Sequence, residues 1–305
     1  MMINSVGKRR GPSKFQRIVD RATRSVPYIR AGNGFPLWTN VVGNCLSSSI
    51  SENVEIGARP SGAGFDTTAS TLMWWLLAMV AHPEVQRRAQ VELDSVVGRA
   101  RLPAFADAPH LPYVRAIVKE ILRWRPTIER GMPHTTAADE WYEGMFIPKG
   151  ATCIANTWHC NHDRAVFGDD ADDFKPERHL DAEGKGLLPG SRETNGEGHV
   201  TYGFGRRICV GKHLANDFLF ISTARILWAA TLGCVRDEND KELPPDANAF
   251  ADKGVFTLVI LPVAQFWDIA EFIGYSRPAP YDCIISPRFP EVLSILADES
   301  GSFED

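Results

Sequence analysis

Residues 202–211 read Tyr-Gly-Phe-Gly-Arg-Arg-Ile-Cys-Val-Gly, and a helical pattern over 210–230 follows at once. Each piece of this stretch has a physical use. A cysteine at the start of a helix sits where unpaired backbone N–H groups and the helix dipole favour negative charge. Its thiol pKa falls there, and the thiolate becomes available. Gly203, Gly205 and Gly211 let the backbone turn tightly and approach a flat partner closely. Arg206 and Arg207 add positive charge suited to carboxylates. The plainer reading is a buried structural cysteine beside a glycine-rich turn. A nucleophilic cysteine wants a histidine partner. His213 lies one helical turn beyond Cys209, so a Cys/His pair or a zinc site is a further alternative, without a full ligand set nearby.

Upstream of this stretch the pattern is helical from about Gly62. Leu72, Trp75, Leu76, Met79 and Val80 follow the i, i+3, i+4, i+7, i+8 spacing of a buried face. The tandem of Trp74 and Trp75 marks a bulky apolar face, core rather than pocket. His82-Pro83 ends that helix, and Pro83 can open the next. The second helix runs to about Val97, with Val85, Ala89 and Val96 on one side and Gly98 as its stop. A third helix spans 111–125 and is closed by Pro126. It carries Glu120 and Arg123, i and i+3 on one face. Taken alone, such a pair is a surface ion pair worth little.

Between 132 and 156 the period shortens. Turn signals at Glu143-Gly144 and Pro148-Lys149-Gly150 predict β-hairpins. Residues 165–205, rich in Gly, Asp and Pro, predict a long irregular connection of the kind that is usually functional or disordered. Beyond the helix at 210–230 the chain reads as short strands and loops, with no internal repeat. Residues 1–60 are weakly patterned and read as a disordered N-terminal segment.

Composition narrows the function classes. The chain has 305 residues, 44% apolar and 10% aromatic, enough for a sizeable core. Its net charge of −5 gives no reason to expect nucleic-acid binding. Six cysteines at 45, 153, 160, 209, 234 and 283 include no CxxC pair, which points to reduced thiols rather than a secreted disulfide scaffold. The basic start lacks the apolar centre of a secretory signal. The apolar runs at 70–80 and 255–267 are shorter than the roughly 20 residues a membrane span needs, so no span is expected in this chain.

The cysteine stretch closely resembles the cysteine loop of cytochromes P450, Phe-x-x-Gly-x-Arg-x-Cys-x-Gly. Every position matches except the first, where Tyr202 replaces Phe. Other family signatures stand in the family's order. They are Ala63-Gly64-Phe65-Asp66-Thr67-Thr68 in the first helix, Glu120-Ile-Leu-Arg123, Pro133-His134 and Pro176-Glu177-Arg178. The resemblance covers about 62–257, and 275–290 again.

It implies a mainly α fold with small β-hairpins, a partial cytochrome P450 fold. It implies a haem-thiolate monooxygenase acting on a small organic substrate with O2. The cofactor would be haem b (iron protoporphyrin IX), with Cys209 as the axial iron ligand. Arg207 and His134 would anchor the propionates. Asp66 and Thr67 would deliver protons, the alternative for Thr67 being a hydroxyl bonded back to a helix carbonyl. Glu120, Arg123 and Arg178 would form a buried network clamping the helix to the loop before the cysteine. Electrons would come from NADPH-cytochrome P450 reductase or an equivalent donor, docking near Arg206 and Lys212. His159-Cys160-Asn161-His162 is too tightly spaced for zinc and reads as structural.

The family's N-terminal half, including its membrane anchor, has no counterpart in the pattern. Residues 258–273 read as an insertion within a 61–305 unit. Family members are mostly held at the endoplasmic reticulum membrane; without an anchor this chain is expected in the cytoplasm. Two other readings stay open: a truncated, non-catalytic fragment with weak or no haem binding, and a Cys/His metal-binding module.

Overall fold

The computed structural model describes residues 29–31, 61–190, 194, 196–250 and 276–301. The proposed insertion at 258–273 lies outside the described residues, as does nearly all of 1–60. The exception is strand β1, Ile29–Ala31.

Helix α1, Ser61–Ala81, begins directly after Pro60. Its second half is buried on every side, not along one stripe: Trp74, Leu77 and Ala78 are as enclosed as Trp75, Leu76, Met79 and Val80. A helix that is apolar all round belongs in a core. Here α1 is packed against α2 (Pro83–Val96), α3 (Pro112–Trp124), α6 (Lys212–Ala229) and strand β6 (Ala230–Arg236). Pro83 occupies the first turn of α2, and Gly98 turns the chain after it with φ +75°. The buried face of α2 is Val85, Gln86, Ala89 and Leu93. Val96, expected inside, stands 36% exposed at the helix end, and Leu93, one turn earlier, meets the core in its place.

Gln86 is a buried polar group among these apolar ones. Its side-chain amide donates to Leu232 O at 2.8 Å and accepts from Leu232 N at 2.7 Å, which joins α2 to β6. Gln86→Leu would strand both backbone groups of Leu232 in the core. The expected loss is about 1–3 kcal/mol, read as a lowered midpoint in urea unfolding; an unchanged midpoint would show that the strand finds other partners.

The largest sheet has the order β1-β8-β6-β7, with β8 spanning Tyr281–Pro287 and β7 Glu242–Leu243. β1 lies parallel to β8, and β6 runs antiparallel to β8 and to β7. Helix α6 passes straight into β6. Two small sheets fall in the expected hairpin region. β2 (His134–Thr135) pairs with β5 (Thr152–Cys153), and between them β3 (Glu140–Tyr142) pairs with β4 (Met145–Ile147). The β3–β4 turn places Glu143 at φ +48° and Gly144 at φ +79°. Two consecutive positive φ values match the twist of a two-residue hairpin.

The described residues of 165–205 are largely irregular, with short helix α4 (Thr157–Asn161) before them, α5 (Arg164–Phe167) at their start and a 3-10 turn at Pro176–His179. The tail differs from the strand-and-loop expectation: Val292–Gly301 forms helix α7. Its Val292 and Leu296 sit i, i+4 in the core, a signal too short to separate from a strand by periodicity.

Candidate functional site

The cysteine loop is built by backbone geometry. Phe204 is extended, Gly205–Arg207 makes one 3-10 turn, and α6 starts at Lys212. Gly203 and Gly205 take φ +79° and +56°, conformations that suit glycine. The Cys209 N–H donates to Tyr202 O at 2.8 Å and closes the loop on itself. Cys209 is exposed, not the buried structural cysteine of the plainer reading. Around it Phe204, Val210 and Leu214 are exposed apolar side chains, Val210 95% so. Arg206 and Arg207 are exposed as well. A Cβ added at Gly203 or Gly205 would meet nothing within 4 Å. An accessible thiol, apolar neighbours, open glycines and two guanidinium groups fit a flat, apolar group bearing carboxylates.

A network behind the loop holds it. Glu120 and Arg123 are both 0% exposed. Arg123 donates twice to Glu120, at 2.8 Å from Nε and 2.8 Å from Nη2. Arg178 Nε at 3.0 Å and the Lys175 N–H at 2.8 Å also reach Glu120. A further member was not read from the sequence: His179 Nε2 lies 2.9 Å from Glu120 Oε2. Burial pushes the His179 pKa down, against the Glu120 contact that raises it, and the Glu120 carboxylate accepts from the ring nitrogen. The adjacent Arg178 matched a known signature, whereas a histidine in a loop carries no periodic signal.

From Arg123 the contacts continue to the cysteine loop. Arg123 Nη1 donates to Asn161 O at 2.7 Å. The Asn161 side chain accepts from Val200 N at 2.9 Å and donates to Thr201 Oγ1 at 2.9 Å. Thr201 Oγ1 donates to Leu122 O at 2.6 Å. Tyr202 follows, and its carbonyl receives the Cys209 N–H. The structural reading of residues 159–162 thus gains a specific content in Asn161, while His162 stacks on Trp158 with ring centroids 4.1 Å apart. Tyr202, the departure from the family's Phe, donates its hydroxyl to Asn216 Oδ1 at 2.7 Å, and Asn216 donates to Glu197 at 3.1 Å.

Lys212 departs from expectation. It forms an ion pair with Glu197 at 2.8 Å, and its side chain is 16% exposed. Its charge is therefore neutralised inside the loop's support, and it does not offer surface charge to a docking partner. Arg206 remains exposed.

Burial alone would raise the Glu120 carboxyl, but hydrogen bonds from Arg123 and His179 outweigh it and hold the pKa at about 2, against 4.5 ordinarily. A carboxylate with a depressed folded pKa stabilises fully above its unfolded value and loses that contribution as pH falls through the folded one. The urea midpoint should therefore drop as pH falls from about 4.5 toward about 2. Glu120→Gln removes that titration; an equally steep pH dependence in this variant would contradict the assignment.

On α1, Thr68 Oγ1 donates to Gly64 O at 2.6 Å, and Thr67 Oγ1 lies 3.4 Å from the same carbonyl. The shorter back-bond is thus made by Thr68. The Thr67 carbonyl receives the Thr71 hydroxyl at 3.0 Å and the Thr127 hydroxyl at 3.4 Å, which ties this turn of α1 to the chain after α3. Asp66 precedes Thr67 on the same helix. His134 is exposed on β2, paired in register with Cys153. His213 is exposed, and among the described residues no group of three or more His, Cys, Asp or Glu side chains could hold a metal ion. The zinc reading of Cys209 and His213 thus has no support.

The described residues form a mainly helical unit that presents Cys209 from a glycine-turned loop, ahead of a helix and braced by a buried Glu-Arg network. The chain belongs to the cytochrome P450 family, whose family model matches residues 60–250. It is 48% identical over 248 residues to a cytochrome P450 monooxygenase of Armillaria gallica, covering 81% of this chain and 44% of the relative. It is 45% identical over 237 residues to cytochrome P450 monooxygenase 58 of Postia placenta, covering 77% of this chain and 41% of the relative. The chain spans less than half the length of these relatives. A solved zebra fish cytochrome P450 with abiraterone superposes with a TM-score of 0.58 at 29% identity, over 75% of this chain and 46% of that one. The family implies a haem cofactor. Among the described residues no helix is long and apolar enough to cross a membrane.

Proposed function

We propose that this chain supplies the thiolate side of a haem b monooxygenase that oxidises a small organic substrate with O2, using electrons from NADPH-cytochrome P450 reductase or an equivalent donor. The observation that carries the reading is the presentation of Cys209: exposed, at a loop closed by its own N–H, with open glycines and apolar side chains beside it. Haem held by a cysteine thiolate activates dioxygen, because the thiolate pushes electron density that favours O–O cleavage.

The chain's own residues take the remaining roles. Cys209 holds the iron. Arg207 and His134 bind the propionates, and Asp66 and Thr67 pass protons toward the oxygen side. Glu120, Arg123 and Arg178, with His179 and Asn161, fix the loop so that the sulfur does not drift. Exposed Arg206 offers positive charge to an electron donor. The 61–305 unit is the functional unit of this reading.

The test is spectroscopic. The chain is reconstituted with hemin, reduced and exposed to carbon monoxide. The expected result is the red-shifted Soret band of a thiolate-ligated ferrous–CO haem. Soluble, folded chain that takes up hemin without that band would overturn the proposal.

A further inference from the structure

We propose that Cys234 and Cys283 form a two-thiol redox site that closes to a disulfide under an oxidant of the peroxide class. The two residues stand directly opposite each other in register on the antiparallel strands β6 and β8. Opposed positions of such a pair hold their Cβ atoms about 4.5–5.5 Å apart, and a disulfide spans Cβ separations of about 3.5–4.5 Å. A small strand adjustment brings the sulfurs together. Both side chains point to one face. Leu232 and Ile285, also opposed in register and two positions away, are buried in the core, and the strand period of two puts the cysteines on the same side. Cys283 is buried and Cys234 partly exposed, with the Cys234 Sγ 3.9 Å from Val80 O at the end of α1. Both are free thiols. Cys153, by contrast, faces His134 across its strand pair.

The chemistry balances in two steps. Cys234, the more accessible, attacks hydrogen peroxide, breaks its O–O bond and becomes a sulfenic acid with loss of one water. The Cys283 sulfur then attacks the Cys234 sulfur, forms the S–S bond and expels the second water. The two thiols are oxidised by two electrons, and the peroxide is reduced by two. Burial raises both thiol pKa values, Cys283 to about 11 with Asp282 and the facing Cys234 contributing. Selectivity therefore comes from strand register, not from an activated thiolate. Closure would tie β8 to β6, which continues the helix that begins just after the Cys209 loop.

The full chain is treated with hydrogen peroxide, its remaining thiols are alkylated after denaturation, and tryptic peptides are mapped. Cys234 and Cys283 fall on different peptides because Arg236 and Lys241 lie between them. The expected product joins those two peptides, lighter by two hydrogens than the separate pair and released by dithiothreitol. In Cys234→Ser, Cys283 is expected to remain unlinked. Recovery of both cysteines alkylated and unlinked, after exposed Cys153 and Cys160 have been oxidised, would overturn the proposal. So would either cysteine joined to a different partner.

Discussion

Cys209→Ser is expected to abolish the red-shifted ferrous–CO Soret band completely while leaving the fold in place. A serine hydroxyl does not ionise near neutral pH, so no thiolate remains to ligate iron. The effect on stability should be small, within about 0.5 kcal/mol, because the side chain is exposed and the loop is closed by the backbone N–H of residue 209, which serine retains. Two controls separate ligation from nonspecific thiol chemistry. Cys160→Ser, an exposed cysteine on α4, should keep the band. Unfolding curves of both variants should overlay the parent. Persistence of the band in Cys209→Ser would mean that another thiol holds the iron.

Glu120→Ala should be the most damaging single substitution in the described core. It removes five donor–acceptor contacts at once, from Arg123, Arg178, Lys175 and His179. It also leaves the guanidinium of Arg123 fully enclosed without its counter-charge. Breaking a buried pair from one side costs about 3–5 kcal/mol, against a total stability of about 5–15 kcal/mol for a typical domain. The comparison that decides the matter is Arg164→Ala. Its ion pair with Asp172 has similar length, 3.0 Å, but both side chains are about two-thirds exposed, and solvent screens it. Urea unfolding should show a large drop in midpoint for the first variant and no measurable change for the second. Equal effects would show that burial does not set the strength of these pairs. Hemin uptake by Glu120→Ala should fall with the fold, since the contacts from Arg123 through Asn161 reach the chain just before Tyr202.

Much of this was legible without a structure, for definable reasons. The boundaries around His82-Pro83 and Pro126 were readable because proline removes a backbone donor and breaks the helical ladder. The β3–β4 turn was readable because Glu143-Gly144 allows positive φ. Val96, by contrast, takes an inward position by periodicity, which records an angular position and not where a helix end outruns its neighbours. A lysine at a helix start is usually solvated, so Lys212 reads as surface charge, and Glu197, fifteen residues earlier, carries no local sign of being its partner. His179 and Asn161 carry no local sign of network membership for the same reason: their partners lie 59 and 38 residues away in the chain.

The sequence by itself determined the Cys209 loop, the family, the helix boundaries at Pro83 and Pro126 and the β3–β4 turn, since these rest on motif order and local backbone preferences. Tertiary structure alone decided which charges are buried and paired, that the Cys209 thiol is presented outward, and that Cys234 faces Cys283. Those properties depend on which distant segments pack together. Local propensity does not encode that, because burial and register arise only when separate elements exclude water from the same space.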